Sequence, residues 1–407
     1  MRTFKYIFLI LALLPLTGCI EEIGFENENF ESALVVEAMI TNEEKHHQIN
    51  LSRTYRFEED ESERIEGAVL TLFEDNGTYD FEEVEPGIYV SSEIFKADAN
   101  KDYRLEISTN GNTYLSTTKQ LTSPTEIDRL YVERETNDDN VNGLSIYVDT
   151  FDPAGNSKYY RYEYEETFRV EPPFFVPEDL VLDLSPGDVN DPCPDCVVKM
   201  VPRSPDKRVC YRTETSQSII LTSSNSFNED RVSRFLTRFV KSDDYRISHR
   251  YSILVKQFVH SPEVYNYLEA LSSFSSEGSL FSQLQPGSVT GNITSEENPN
   301  ETVLGYFEVA SVSRKRIFFN YDDFYPNEPL PPYLNNCIPR APFRCRATSN
   351  NSFRCAGLVA GIKANTIVYK EPNNGQLPLG GRYLILDREC GDCTALGESE
   401  PPEFWIE

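Results

Sequence analysis

The chain has 407 residues, with 38 lysines and arginines against 66 aspartates and glutamates, so its formal net charge is −28. The length predicts about two or three domains, and the negative charge argues against binding to nucleic acid and against electrostatic adhesion to anionic lipid. Aromatic residues make up 12 % of the chain, a composition that favours strands over helices.

Residues 1–18 have the pattern of a secretory signal peptide. Arg2 and Lys5 precede an apolar stretch that ends at residue 16, and this stretch is shorter than the roughly 20 residues that a membrane-spanning helix needs. The sequence LTGC, which ends at Cys19, resembles the bacterial lipobox, whose cysteine is acylated after cleavage. We therefore expect acyl chains on Cys19 to anchor the protein to a membrane. The alternative is an ordinary signal peptide with a chance cysteine.

Residues 19–32 are predicted to be the acylated cysteine and a polar tether. Glu21 and Glu22 stand directly after Ile20 in this segment. They resemble the acidic export signals of surface lipoproteins in some gram-negative bacteria. This pattern predicts an outer-membrane lipoprotein that faces the cell exterior, with the periplasmic side as the alternative.

Residues 33–122 carry short alternating apolar runs separated by turn signals, which predicts an Ig-like β-sandwich domain. The Asn110-Gly111 dipeptide suits a type I′ turn between two of these strands. The charge run from Phe57 to Glu66 lies between two other predicted strands. We interpret it as a solvated loop, with a cation-binding or partner-facing loop as the alternative.

Residues 123–407 are predicted to form a larger β-rich domain with a few short helices and a cysteine-rich tail. One helix is expected near 228–240, where four apolar residues fall on one helical face. A second is expected near 261–274, where Ser261 is the candidate cap and Pro262 occupies the first turn. The predicted fold class of the whole chain is therefore mostly β.

Eight cysteines remain besides Cys19, and an even number in an exported protein predicts disulfides. They are Cys193, Cys196, Cys210, Cys337, Cys345, Cys355, Cys390 and Cys393. Two C-x-x-C pairs, CPDC and CGDC, leave a zinc site or a redox dithiol as alternatives. Almost 200 residues separate the two pairs, whereas zinc ribbons bring such pairs together over about 15–20 residues. The preferred interpretation is that these cysteines form disulfides that staple loops together. The spacing does not decide how the cysteines pair.

The segment NDDNVNG, residues 137–143, contains a candidate calcium loop. Asp138, Asn140 and Asn142 match the start of such a loop, and Asp149 falls at its twelfth position. The residues on both sides alternate between polar and apolar as in strands, not as in helices. The tip of an Asn-Gly hairpin therefore accounts for the same residues. Calcium stays the alternative at this segment, and apart from the zinc alternative at the C-x-x-C pairs no metal or cofactor is expected.

The sequence lacks the recognised catalytic motifs, such as a G-x-S-x-G elbow, an H-E-x-x-H pair or a phosphate-binding glycine loop. His46 and His47 are adjacent, so on a strand they point to opposite faces and do not share a metal. His260 is expected to make a structural hydrogen bond. We expect a protein that acts by binding and not an enzyme.

Several segments occur along the chain in a recognisable order, among them ALVVEAMI, YYRYEYEETF, RYSILVKQFVHSPEVYNYLEAL, VLGYFEVASVSRKRIFF and CGDCTALGESEPPEFW. Together they are similar to the outer-membrane lipoproteins grouped as domain of unknown function 4249. The resemblance implies an Ig-like N-terminal part followed by a larger, mostly-β region, and it supplies no catalytic residues.

Proteins of that family are often encoded beside TonB-dependent outer-membrane transporters. The resemblance therefore implies an accessory or lid subunit that contacts a β-barrel transporter, with its ligand unknown. A stand-alone lipoprotein for binding a glycan or a peptide, or for adhesion, is the first alternative. An envelope thiol oxidoreductase that uses a C-x-x-C pair is the second.

Overall fold

The computed structural model describes residues 32–54, 63–75, 77–183, 197–276, 291–343, 346–347, 353–354 and 357–407. The predicted signal peptide, nearly all of the tether and most of the charge run at 57–66 lie outside these residues. So do five of the singled-out cysteines, Cys19, Cys193, Cys196, Cys345 and Cys355. The described part of the chain consists mainly of strands, which confirms the predicted fold class.

The first strands of the chain are β1 (Leu34–Thr41), β2 (Gln48–Arg53), β3 (Val69–Glu74), β4 (Gly77–Glu85), β5 (Ile88–Ser91), β6 (Tyr103–Thr109), β7 (Asn112–Ser116), β8 (Ile127–Thr136), β9 (Asn142–Phe151) and β10 (Tyr159–Val170). They are followed by β11 (Glu178–Asp183), β12 (Val197–Pro202), β13 (Cys210–Thr215), β14 (Ile220–Ser223), β15 (Arg231–Lys241) and β16 (Arg250–Val259).

The remaining strands are β17 (Ile293–Ser295), β18 (Val303–Asn320), β19 (Arg346–Ala347), β20 (Phe353–Arg354), β21 (Ile367–Pro372) and β22 (Tyr383–Asp387). The α-helices are α1 (Pro262–Ser276), α2 (Tyr321–Phe324) and α3 (Leu358–Lys363). Single 3₁₀ turns span Pro205–Lys207, Tyr245–Ile247, Arg388–Cys390 and Cys393–Ala395.

The strands β1 to β7 surround a first core that is mainly aliphatic. Their sequences alternate, so that in β1 Leu34, Val36 and Ile40 are buried while Glu37 is exposed. Between β6 and β7, Asn110 and Gly111 have φ angles of 50° and 80°. A type I′ turn requires positive φ at both central residues, which is why this dipeptide closes the hairpin.

The long strand β18 completes the first core from far along the chain. Its residues 303–310 pair in parallel with β1, and its residues 311–320 pair with β16 in the antiparallel direction. Val303, Phe307 and Val309 belong to the first core, together with Ile293 of β17. One sheet therefore runs continuously in the order β13-β10-β16-β18-β1-β2-β5-β4-β3-β6-β7-β17. Residues near 293–309, which the sequence assigns to the second domain, contribute to the core of the first.

A second core lies between this sheet and the three-stranded sheet β15-β9-β8. The inward residues of β9 are Leu144, Ile146 and Val148, all fully buried. Tyr160 and Tyr162 of β10 are in the same core and are also fully buried. The high tyrosine content of the chain is therefore used in part for packing between the two sheets.

Residues 228–240 do not form the predicted helix, because residues 231–241 form β15. The register of β15 against β9 shifts between Val232 and Phe235 and again between Leu236 and Arg238. Such bulges break the strict two-residue alternation of a strand, so the apolar spacing imitates a helical face. The helix predicted near 261–274 is confirmed as α1, where Val264 N–H lies 3.4 Å from the accepting Ser261 Oγ.

The last residues of the described chain lie across the outer side of the large sheet. The Trp405 ring packs edge-on against Tyr211 of β13, with ring centres 4.9 Å apart, and against Phe318 of β18 at 5.8 Å. The Arg316 guanidinium lies 3.5 Å from the centre of the Phe404 ring. These aromatic contacts hold the tail on the sheet.

Candidate functional site

Four of the predicted disulfide cysteines lie in the described residues, and all four form disulfides. Cys210 of β13 bonds to Cys393, 183 residues away, and Cys337 bonds to Cys390, 53 residues away. The two sulfurs of the CGDC pair thus bond to different distant cysteines and not to each other. The pair fixes the segment around residues 388–395 to β13 and to the segment that carries Cys337.

The predicted calcium ligands do not form one ligand set. Asn142 and Asp149 lie at different places in the extended strand β9, separated by about 23 Å at the usual rise of a strand. Asp149 Oδ1 accepts the Arg234 backbone N–H at 2.7 Å, and its Oδ2 lies 3.6 Å from Arg129 Nη1. Both oxygens of this carboxylate therefore already have partners within the protein.

The other predicted calcium residues, Asp138 and Asn140, lie in the loop that joins β8 to β9. Asn137 Oδ1 accepts the N–H of Asp139 at 3.1 Å and the N–H of Val141 at 2.9 Å. Asn140 has a φ of 64°, which asparagine tolerates better than most residues. These features are those of a hairpin tip closed by its own asparagines.

Three of the histidines make structural hydrogen bonds. His47 is buried, and its Nε2 lies 3.1 Å from Phe95 O, so Nε2 carries the proton that it donates. Burial lowers the pKa of His47 to about 4, and the nearby Lys45 adds to this effect. His260 Nδ1 lies 2.7 Å from Glu308 Oε2 in a buried contact, which confirms the expected structural hydrogen bond. His46 Nδ1 lies 2.7 Å from Ser91 O, so it serves the same kind of role.

A buried ionic network ties the two sheets of the second core together. The carboxylate of Glu166 on β10 accepts two hydrogen bonds from Arg238 on β15, each at 3.0 Å. The Tyr251 hydroxyl of β16 donates to the same carboxylate. Burial, followed by the Glu166 charge, raises the pKa of Tyr251 well above its ordinary value, so the hydroxyl keeps its proton. These partners account for the burial of the Glu166 carboxylate, so no catalytic role is needed to explain it.

The most distinctive exposed arrangement is the outward side of the sheet β8-β9-β15, which we call the outer face. It is formed by Arg129, Tyr131, Glu133, Glu135, Tyr147, Asp149, Arg234 and Leu236. These residues alternate with the inward core residues of β8 and β9 because successive side chains of a strand point to opposite faces.

The aromatic rings and cations of the outer face form one row across three strands. Tyr131 and Tyr147 lie directly opposite each other, with ring centres 5.8 Å apart. Arg129 lies 4.5 Å from the centre of the Tyr131 ring, and Arg234 lies 4.4 Å from that of Tyr147. Stacking of this kind preorganises arginine and tyrosine side chains for contact.

The carboxylates of the outer face hold Arg234 in place. Arg234 Nη2 donates to Glu135 Oε1 at 2.6 Å, and Nη1 donates to Glu133. Hydrogen bonds from Tyr147 and then from Arg234 lower the pKa of Glu135 below its ordinary value. The backbone of Arg234 has a φ of 50° within the bulge of β15, and this conformation directs the residue into the row.

A groove of about 530 Å³ lies at the β15 side of the outer face. Phe227, Arg231, Arg234 and Phe235 line it together with smaller polar residues. Phe227 is 65 % exposed and Leu236 is 43 % exposed, so two large apolar side chains stand free beside the arginines. Phenylalanine and arginine, which line this groove, are both enriched in protein interfaces, and arginine is one of the residue types that dominate their binding energy.

Sequence reasoning missed the outer face for an identifiable reason. The alternation of Tyr131, Glu133 and Glu135 was visible in β8, and that of Tyr147 and Asp149 was visible in β9. The assignment of a helix to residues 228–240 removed the third strand from this face. Arg234 lies on β15 and the groove is lined by β15, so neither can be predicted unless this strand is recognised.

Within the residues described by the structure, no set of three or more His, Cys, Asp or Glu side chains is arranged to hold a metal ion. Among the helices of the same residues, none combines the length and apolar character needed to cross a bilayer.

Comparison with known proteins gives one family match. The family model described as "Domain of unknown function (DUF4249)" matches residues 20–316. This range contains the first core, the outer face and most of β18, whereas the four disulfide-bonded cysteines include three that lie beyond it. No curated protein matches the chain.

Proposed function

The chain belongs to the family of domain of unknown function 4249, and from this premise we propose that it is a surface-exposed outer-membrane lipoprotein that acts by binding. Its partner is a TonB-dependent nutrient transporter, for which it serves as an accessory or lid subunit. The lipobox at Cys19 and the acidic residues after it support the location. No catalytic step is assigned to it.

The outer face, together with the groove at its β15 side, is the observation that carries a binding role. Exposed Phe227 and Leu236 stand beside arginines that are stacked on tyrosine rings and fixed by carboxylates. Fixed side chains lose little conformational entropy when a partner binds, so they contribute more of their contact energy to affinity. We assign the transporter contact to this face.

Co-purification from outer membranes tests the assignment. We expect the wild-type lipoprotein to purify with a β-barrel in mild detergent and the variant with Phe227→Ser and Leu236→Ser to lose it. The control variant carries Val84→Ser and Ile94→Ser, which also removes two large side chains that are more than half exposed. Equal recovery of the barrel with both variants would contradict the assignment, and no recovery with the wild type would contradict the transporter role.

The Tyr131 and Tyr147 rings favour the second candidate function, a stand-alone lipoprotein that binds a glycan or a peptide. Adjacent outward rings offer a stacking surface for a sugar once the Arg129 and Arg234 guanidinium groups swing aside, with carboxylates beside them to accept hydroxyl hydrogen bonds. This candidate predicts ligand binding by the chain from residue 19 with Cys19→Ser, which lacks the acyl anchor. Glycan-array binding that is lost in Tyr131→Ala would favour it over the transporter role.

A further inference from the structure

One region of the chain has the opposite charge from the rest. Residues 329–382 contain seven lysines and arginines and a single carboxylate, that of Glu371, for a local net charge of +6. The basic residues are Arg340, Arg344, Arg346, Arg354, Lys363, Lys370 and Arg382. Because the whole chain carries −28, the residues outside this region carry −34. The region also lies entirely beyond the part that matches the family model.

The same region exposes large apolar side chains. Six of the exposed large apolar residues of the described chain belong to it: Leu330, Leu334, Ile338, Phe343, Leu377 and Leu379. Leu379 is 91 % exposed and Ile338 is 67 % exposed. Exposed apolar side chains that gather in one region mark an interaction surface, whereas single scattered ones need no explanation.

Two segments of this region lie side by side. Gly381 N–H donates to Ala341 O at 2.6 Å, and Arg340 forms a β-bridge with Ile385. A Cβ on Gly380 would come within 2.5 Å of the Ala341 Cβ, so glycine permits this close approach. The loop between β21 and β22 therefore packs against residues 340–343.

The loop between β21 and β22 is also held from within. The Asn373 side-chain amide donates to Leu377 O at 3.0 Å and to Gly381 O at 2.8 Å. Its Oδ1 accepts the Leu377 N–H at 3.0 Å. One asparagine thus fixes the loop that carries Leu377 and Leu379.

We call this arrangement the basic apolar surface and define it by Phe343, Leu377, Leu379, Lys363 and Arg382. Helix α3, which ends at Lys363, begins against Phe343, since Leu358 N–H lies 3.4 Å from Phe343 O. Lys363 and Arg382 are exposed and have no ion-pair partner among the residues that the structure describes. Arg340, by contrast, pairs with Asp387 and is not counted.

We propose that the basic apolar surface docks on an anionic lipid surface. The apolar side chains enter the headgroup region, and Lys363 and Arg382 contact the lipid phosphates. A surface that combines apolar side chains with lysine and arginine has the composition of interfacial membrane-binding segments. The acidic remainder of the chain is repelled from such a surface, so only one orientation of the molecule is favourable.

The form of the surface favours lipid over a protein partner. Leu379 protrudes from a loop between Pro378 and Gly380 and is almost fully exposed. Protein interfaces concentrate their energy in tryptophan, tyrosine and arginine side chains packed into pockets. The exposed apolar residues of this surface are aliphatic except for Phe343, and they protrude, as insertion among headgroups requires. This contact is separate from the outer face and does not depend on the transporter role.

Vesicle sedimentation tests the proposal with the chain from residue 19 carrying Cys19→Ser, which retains every described residue and has no acyl chain. One vesicle is phosphatidylcholine alone, and the other is an equimolar mixture with phosphatidylglycerol. We expect binding to the mixed vesicles only. Each basic residue near anionic lipid strengthens the binding constant roughly fivefold. The double variant Lys363→Glu with Arg382→Glu should therefore weaken binding by more than about tenfold.

Removal of the apolar tips gives a second arm. Leu377→Ser with Leu379→Ser should weaken vesicle binding by roughly tenfold, because inserted leucines contribute through apolar burial. The matched control, Ile94→Ser with Lys96→Glu, removes an exposed apolar residue and an exposed cation from the first module and should bind as the wild type does. Circular dichroism of each variant confirms that the fold is retained.

Three results would overturn the proposal. Equal binding of the wild type to neutral and anionic vesicles would remove the role of charge. Equal binding by the wild type and by both surface variants would show that the basic apolar surface does not contact the lipid. If these variants bind vesicles normally but no longer co-purify with a β-barrel, the surface is a protein interface instead. Loss of the barrel only in the Phe227 and Leu236 variant leaves the lipid proposal intact.

Discussion

The two cores of this protein are packed with different kinds of side chains. The first, around β1 to β7, is dominated by aliphatic residues such as Val36, Ile49 and Leu51. The second is rich in tyrosine and encloses the carboxylate of Glu166. The strand β18 belongs to both, with Phe307 in the first and Phe319 in the second.

The difference shows how each core fixes its arrangement. An aliphatic core tolerates small shifts of its strands because its contacts have no direction. The Glu166 carboxylate must meet Arg238 and Tyr251 from two different strands, so the second core has a polar requirement that only one register satisfies. Variants of each core should therefore respond differently, and four of them test this comparison.

The largest effect is expected from the disulfide that enters the second core. Replacing Cys210 and Cys393 by alanine opens a loop of 183 residues and should lower the free energy of unfolding by about 5 kcal/mol. The bond between Cys337 and Cys390 closes a shorter loop of 53 residues, and its removal should cost about 4 kcal/mol. Guanidinium unfolding of the oxidised proteins measures both. A loss below about 1 kcal/mol for the first pair would show that aromatic packing alone holds the tail.

The buried carboxylate comes next. Glu166→Gln leaves the partly buried Arg238 guanidinium without its counter-charge and should cost about 3 kcal/mol of unfolding free energy. Glu165→Gln is the matched control, since Glu165 pairs with Arg316 at 2.8 Å on the partly exposed side of the same strand. It should cost less than about 1 kcal/mol. Equal losses in the two variants would mean that the network does not specify the second core.

A glycine in β18 tests the junction in the first core. Gly305 has a φ of 101°, and a Cβ there would lie 1.9 Å from Val36 O of β1. Gly305→Ala should therefore cost about 2–3 kcal/mol through strain and a backbone shift. At Gly67 the φ is 69° but nothing lies within 4 Å of a Cβ, so Gly67→Ala should cost only about 1 kcal/mol. Equal denaturant midpoints for the two variants would show that the close approach of β18 to β1 at Gly305 does not limit stability.

The smallest effect is a pH dependence confined to the first core. The pKa of His47 is lowered to about 4 by burial, so between its ordinary pKa and about pH 4 the unfolded chain binds a proton that the folded chain does not. The contribution of neutral His47 is complete above about pH 6.5 and is lost as the pH falls, by on the order of 2 kcal/mol. Urea unfolding across this range should show the slope in wild type and in His46→Asn, and a reduced slope in His47→Asn. An unchanged slope in His47→Asn would assign the acid sensitivity to other groups.

Local patterns allowed correct predictions wherever one segment determines its own structure. The Asn110-Gly111 turn and helix α1 with its Ser261 cap are of this kind. The error at residues 228–240 arose where bulges replaced the simple alternation of a strand. Residues 231–241 form a strand through antiparallel hydrogen bonds to β9, which is distant in the chain, and local spacing does not reveal this pairing.

The sequence by itself determined the mostly-β class, the presence of disulfides and an acidic chain, since these follow from composition and local periodicity. Only the tertiary structure decided that Cys210 bonds to Cys393, that β18 joins two cores, and that Arg234 completes a row begun by Tyr131. It also placed Leu377 and Leu379 beside residues 340–343, in a region whose positive charge the total of −28 conceals. These features depend on contacts between residues far apart in the chain, and local spacing holds no information about which distant segments meet.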